Sequence, residues 1–368
     1  MKRFKFTAAI LALVLVAVFA LSGCGSNPAA TTAPAGDQTK ADASKAAPKQ
    51  IVIGLALSTQ QEERWSKESK IFKDEAEKDG AKVVIQDAGN DENTQNNQIE
   101  NLISQKVDAL VIVAVNGKTV GTAVADAKKA GIPVMAYSRL INNADIDCYI
   151  GFDVVDIGRT LAKAAIAKVP KGNYMIMNGG QTDVNAKFEQ QGYYEVIQPL
   201  IDKGDIKVVS EQWADNWAPE KALSLTENAL TQNQNKIDAA LVSNDGMAGG
   251  VVQALKAQKL DGKVFVTGTD GEAAALQRIA EGSQTCTLLF PAQDFATAAA
   301  KGAIEMATTK KAPASATGTI DNQLKKVPTI YVNTILVTKD NINDTVIKPG
   351  LAKVEDVFKN VPQDQWPK

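Results

Sequence analysis

The sequence predicts an α/β protein of two doubly wound parallel-sheet lobes, and three observations point to them. From Ile51 onward, short continuous apolar runs alternate with amphipathic helical stretches, and strands covered on both faces read as uninterrupted apolar runs. The alternation falls into two consecutive blocks of roughly 100–130 residues, each an ordinary domain size. Polar or indole side chains stand just after most of the apolar runs, which is where ligands bind in open parallel sheets.

The elements follow in order. Ile51–Leu57 is a buried-type strand and Glu62–Lys78 a helix charged on one side. Ala81–Ile85 is the next strand, Thr94–Gln105 the next helix, and Asp108–Val115 the third strand. A helix near Thr119–Ala130 leads to a strand at Pro133–Tyr137, then to Tyr149–Phe152 and a helix ending near Lys168. The second block repeats the cycle with strands at Tyr174–Met177, Ile206–Val209, Asp238–Val242 and Val264–Thr267.

Ahead of this body the chain reads as an address. Lys2, Arg3 and Lys5 precede an uncharged apolar run from Ala8 to Leu21. The run is short for a membrane span and reads as the apolar region of a secretory signal. Leu21-Ser22-Gly23-Cys24 resembles the lipobox of bacterial lipoproteins, which implies a signal peptide over residues 1–23 and an acylated Cys24 at the extracytoplasmic face of the cell membrane. The alternative is a plain signal whose cleavage site contains Cys. Residues 24–49 are rich in Ala, Thr, Pro, Gly and Ser without apolar periodicity, the composition of a flexible tether.

Composition excludes several functions. Lys and Arg total 40 against 42 Asp and Glu, so the basic excess that nucleic-acid binding demands is missing. Removing residues 1–23 takes away three positive charges and no negative one, leaving 37 − 42 = −5. The chain has no His, which removes every His-based triad and His metal site. Three Cys at 24, 148 and 286 are too few for a disulfide framework or a zinc cluster. Cys148 and Cys286 read as small buried apolar residues, a bridge between them being the alternative. No Gly-rich phosphate loop follows a strand, and no nucleophile elbow is present. An enzyme is therefore not expected, nor any cofactor.

The strand ends carry the candidate site. Glu63-Arg64-Trp65 follows the first strand, Asn116 the third, and Ser138-Arg139 the fourth. In the second block come Asp183 and Asn185, then Trp213, Asp215, Asn216 and Trp217, then Asn244-Asp245, then Asp270. Asn, Asp and Arg offer fixed hydrogen-bonding geometry suited to adjacent hydroxyls. Trp presents a flat apolar face suited to the C–H face of a sugar ring. Taken singly, Asp183, Asn185, Asn244 and Asp270 read equally well as helix caps or turn formers, and the two Trp as packing residues. Their joint occurrence at the strand ends of both blocks favours a neutral, polyhydroxylated ligand.

Several stretches point to one family. Glu63-Arg64-Trp65, Gln98–Asn101, Ile141–Asp147, Gln212-Trp213, Glu227–Thr231, Ser243-Asn244-Asp245 and Asp344–Ile347 together resemble the periplasmic D-xylose-binding proteins of the ribose- and galactose-binding class. The resemblance runs from about Ile51 to Lys353. It implies two lobes linked by three crossings, near Phe152–Asp153, Thr287–Leu289 and Thr334–Leu336. The N-terminal lobe would comprise 50–152 plus 290–333 and the C-terminal lobe 153–289 plus 334–368. It also implies a monomer that captures a monosaccharide between its lobes and delivers it to an ABC transporter permease. The alternative is a sugar-sensing receptor that signals to a membrane kinase or chemoreceptor.

Carried over position by position, the resemblance places Arg139, Asn244 and Asp270 on ring and hydroxyl oxygens. Trp65 and Trp217 would wall the ring, Asp183 and Asn185 would bind hydroxyls, and Arg64 matches the family too. Two positions depart from the family pattern. Ser138 stands where an acidic residue is expected, and Phe290 where a Lys is expected. The exchange alters cleft shape and hydrogen bonding, and it brings D-glucose in beside D-xylose as the expected sugar.

Overall fold

The computed structural model describes residues 49–367. The signal segment, Cys24 and the tether up to residue 48 lie outside the described residues.

The first block builds β1 (Val52–Leu57), α1 (Glu63–Lys78), β2 (Lys82–Asp87), α2 (Glu92–Ser104), β3 (Ala109–Ile112), α3 (Gly121–Lys129), β4 (Val134–Tyr137) and β5 (Cys148–Gly151). Successive residues of a strand point to opposite faces, and here both faces are buried. Ile53, Leu55 and Leu57 of β1 pack with Phe72 and Ala76 of α1. Ala56, between them, packs with Ile99 and Leu102 of α2. That double burial is why these strands appear in the sequence as unbroken apolar runs.

The second block continues with α4 (Val154–Lys168), β6 (Gly172–Asn178), α5 (Val184–Asp202), β7 (Ile206–Trp213), α6 (Pro219–Gln232), β8 (Ala239–Val242), α7 (Asp245–Ala257), β9 (Phe265–Val266), β10 (Thr269–Asp270), α8 (Ala273–Glu281) and β11 (Cys286–Leu289). The chain then returns with α9 (Ala292–Thr309), β12 (Gly318–Asp321) and β13 (Lys326–Tyr331), and leaves again through β14 (Ile335–Thr338). Phe295, Ala299 and Ala303 of α9 share a core with α1.

Three sheets result. The first runs β12-β13-β5-β4-β3-β1-β2, the second β7-β6-β8-β9, and the third β10-β11-β14. They are not wholly parallel. β12 pairs antiparallel with β13, because the four-residue connection between them permits only a hairpin. Asn322 holds that turn: its Oδ1 accepts from Lys325 N at 3.0 Å, and its Nδ2 donates to Ile141 O at 2.9 Å and Ala144 O at 2.7 Å. β14 pairs antiparallel with β11.

Two close approaches fix the second block. A Cβ on Gly158 of α4 would lie 2.1 Å from Glu189 O, and one on Gly192 of α5 2.1 Å from Val155 O. The two helices therefore touch backbone to backbone, and α5 is held in place at Glu189. The apolar run around Val264–Thr267 yields only the two-residue β9, and the chain turns at Gly268. A Cβ there would meet Asp245 Oδ1 at 2.1 Å. Cys148 in β5 and Cys286 in β11 are both buried and unbridged, and burial pushes each thiol up to about 12.

Candidate functional site

One cleft, with about 450 Å³ of empty space, opens where the strand ends of the first sheet face those of the other two. Arg64, Trp65, Ser138, Arg139, Asp183, Asn185, Trp217, Asn244, Asp270 and Phe290 all line it.

Arg64 sits at the centre of a cage. Its Nε donates to Glu68 Oε1 at 2.8 Å and its NH2 nitrogen to Ser138 Oγ at 2.9 Å. Its guanidinium lies 4.4 Å from the Trp65 ring centroid and 4.5 Å from that of Phe290, within cation–π range. Glu68, in the second turn of α1, also accepts from Tyr137 Oη at 2.7 Å. Phe290 stacks on Phe152 at 4.2 Å and 16°, so the ring covers the arginine as well as part of the cleft wall.

Arg139 joins the two sides. Its Nε reaches Asp183 Oδ2 at 2.7 Å, and another of its nitrogens donates to Ala114 O at 3.2 Å. Asp183 also caps α5, its Oδ1 accepting from Asn185 N at 2.9 Å. Asn185 Nδ2 donates across the cleft to Ser138 O at 2.9 Å. Asn244 caps α7 through Met247 N at 2.9 Å. Asp183 and Asn244 thus fill both roles that their positions allow, helix cap and cleft wall.

Three lining residues hold left-handed backbone: Ser138 at φ 61°, Trp217 at 56° and Asp270 at 102°. Such conformations are costly for bulky side chains and persist where the surroundings impose them, often at ligand sites. The Trp217 ring lies flat on Gly179, where a Cβ would meet it at 2.4 Å.

The electrostatics of the cleft are close to neutral. Glu68 and Asp183 are paired with arginines at hydrogen-bond distance. Burial pushes the Asp270 carboxyl up to about 8. Arg64 opposes this from 3.6 Å, too long for a hydrogen bond. Burial likewise raises Glu62, and it raises Glu189 well above the usual carboxylate range. Trp217 Nε1 and Asn185 Oδ1 are buried without a hydrogen-bond partner among the described residues. Buried polar groups are normally paired, so this donor and this acceptor are set for a polar, uncharged guest.

Residues 53–311 match the periplasmic binding protein domain. This chain belongs to the periplasmic binding protein family. The binding protein is 46% identical to the D-xylose-binding periplasmic protein of Haemophilus influenzae, covering 86% of this chain and 94% of the relative. It is 47% identical to that of Escherichia coli, covering 84% and 93%. Among solved structures it is similar to an ABC transporter solute-binding protein from Clostridium phytofermentans with bound β-D-glucose, with TM-score 0.76 and 29% identity over 83% of this chain and 99% of the other. A solute-binding protein from Chloroflexus aurantiacus in complex with D-glucose gives TM-score 0.77 and 27% identity over 84% and 98%.

Not every polar strand end of the binding protein reaches the cleft. Asn116 donates to Glu92 at 3.0 Å instead. Asp245 lies behind the wall, accepting from Gly271 N at 2.8 Å, Glu272 N at 3.0 Å and Thr287 Oγ1 at 2.8 Å. It thereby braces the backbone on both sides of the cleft wall at Asp270 and Phe290. Conversely, Glu62, Phe152, Glu189, Ser243 and Thr269 line the cleft without having been named as ligand contacts from the sequence. Ser243 and Thr269 adjoin Asn244 and Asp270, so the strand-end argument extends to them. Glu189 lies inside a helix, and its signal is its i+4 spacing from Asn185.

Proposed function

We propose that this extracytoplasmic binding protein captures a monosaccharide, D-xylose or D-glucose, between two lobes and delivers it to an ABC importer. The observation that carries the reading is a charge-balanced cleft that combines indole faces with orphaned hydrogen-bonding groups, in a chain nearly half identical to D-xylose-binding proteins. The lobes are taken as 50–152 plus 290–333 and 153–289 plus 334–368. A monomer suffices, because one chain supplies all seventeen lining residues.

The ten predicted lining residues are taken as the sugar contacts, with Ser138 and Phe290 setting the preference. Ser138 Oγ is occupied by Arg64 and Phe290 is apolar, so neither adds a charged group against which a hexose hydroxymethyl would clash. Calorimetric titration with a panel of pentoses and hexoses tests this. D-Glucose is expected to bind at least as well as D-xylose, and Ser138→Asp combined with Phe290→Lys is expected to shift the ratio toward xylose. The pair is changed together because both residues touch Arg64 and neighbouring sites are not additive. A wild-type preference for xylose above about tenfold, or 1.4 kcal/mol, refutes the specificity argument, and no binding of any monosaccharide refutes the function.

A lipid anchor at Cys24 completes the proposal, supported by the charged and apolar segments before it. Wild-type protein is expected to fractionate with membranes and the Cys24→Ala form to be released or left unprocessed. Unchanged processing and membrane association of the variant overturns the anchor.

A further inference from the structure

We infer that Glu189 is a specificity-determining contact, in which the floor of the cleft exchanges hydrogen bonds with one ligand hydroxyl through a carboxyl group fixed by Tyr193. The inference rests on the monosaccharide reading of the cleft and adds a contact to it.

Glu189 lines the cleft and is 3% exposed. Tyr193, one helical turn further along α5, donates its hydroxyl to Glu189 Oε1 at 2.8 Å, and Ser243 Oγ stands 3.4 Å from that same hydroxyl. The backbone beneath Glu189 is pinned by the contact with Gly158. The carboxyl is therefore rigidly placed, as a selective contact must be. A buried acid without a cation beside it is expensive unless its remaining capacity is used. Burial first, then Asp270 and Asp183, push its carboxyl well above the usual carboxylate range. Glu189 thus presents to the cleft a carboxyl group fixed by Tyr193, able to exchange hydrogen bonds with a neighbouring hydroxyl. A sugar hydroxyl is such a partner.

The position along α5 says what it reads. Asn185 and Glu189 are four residues apart on one helix face, about 6 Å along the axis. That separation is of the order of a pyranose ring's width. Asp183 and Asn185 at the helix start and Glu189 one turn deeper can thus hold hydroxyls on opposite sides of one ring. A pocket built to pair a hydroxyl discriminates strongly against a ligand that lacks it.

The test couples Glu189 variants to monodeoxy derivatives of whichever panel monosaccharide binds the wild type most tightly. Glu189→Leu removes a desolvation cost and is expected to fold. Glu189→Met is the second variant, and urea unfolding of each checks the fold. The parent sugar is expected to bind at least about tenfold more weakly to Glu189→Leu than to wild type. One deoxy derivative is expected to bind the two proteins equally, while Glu189→Gln stays within about threefold of wild type for the parent. Equal weakening of the parent and every deoxy derivative assigns Glu189 a structural role and overturns the inference, as does no weakening at all. Absence of any monosaccharide binding by the wild type is a different result and overturns the functional reading instead.

Discussion

Arg64→Met is expected to weaken monosaccharide binding by at least about 100-fold, some 2.7 kcal/mol. It is also expected to lower the stability of the sugar-free protein by about 3 kcal/mol. Both effects have one origin. The Arg64 guanidinium is the cation paired with Glu68, which is only 1% exposed. Without it, Glu68 retains Tyr137 Oη and no positive charge at hydrogen-bond distance. Breaking a buried pair from one side leaves an uncompensated charge and costs more than the pair contributes. The same side chain fills the space between Trp65 and Phe290 and donates to Ser138, so its loss releases both aromatic walls. Titration with D-xylose and D-glucose reads the first effect and equilibrium urea unfolding the second. Wild-type affinity with wild-type stability would remove Arg64 from the account.

The alternation of strands and helices was legible because both sheet faces are buried, which turns strands such as β3 and β4 into unbroken apolar runs. The cleft was legible for a related reason. Parallel strands end on one side, so Ser138, Asn244 and Asp270 converge although they are far apart in sequence. What the sequence did not show were features set by close approach. Gly268 breaks the strand between β9 and β10 because Asp245 sits against it, and nothing in the local pattern announces that contact. Asp245 itself was grouped with the cleft residues, yet it points into the backbone behind them. Glu189 was passed over because a glutamate within an amphipathic helix ordinarily faces solvent. Only the Gly158–Gly192 contact, which brings α4 onto α5, buries that face.

Closure of the cleft on sugar is the second large effect. Across the cleft, Arg139 meets Asp183 and Asn185 meets Ser138 O. Trp217 Nε1 and Asn185 Oδ1 are buried there without partners among the described residues, and burial lifts Asp270 and Glu189 above their ordinary range. Those costs oppose closure of an empty cleft and are offset when ligand hydroxyls pair with the orphaned groups. A ligand shifts such an equilibrium only through its different affinity for the two states, and a sugar held from both sides has that difference. Asp270→Ala is therefore expected to lose binding and closure together, because Asp270 lines the cleft and is one of the proposed sugar contacts.

Small-angle scattering, with and without saturating D-glucose or D-xylose, tests capture between two lobes most directly. The account predicts a smaller radius of gyration on adding sugar to the wild type and no change for Asp270→Ala. Calorimetric heat of sugar binding by the wild type with an unaltered scattering profile would contradict it.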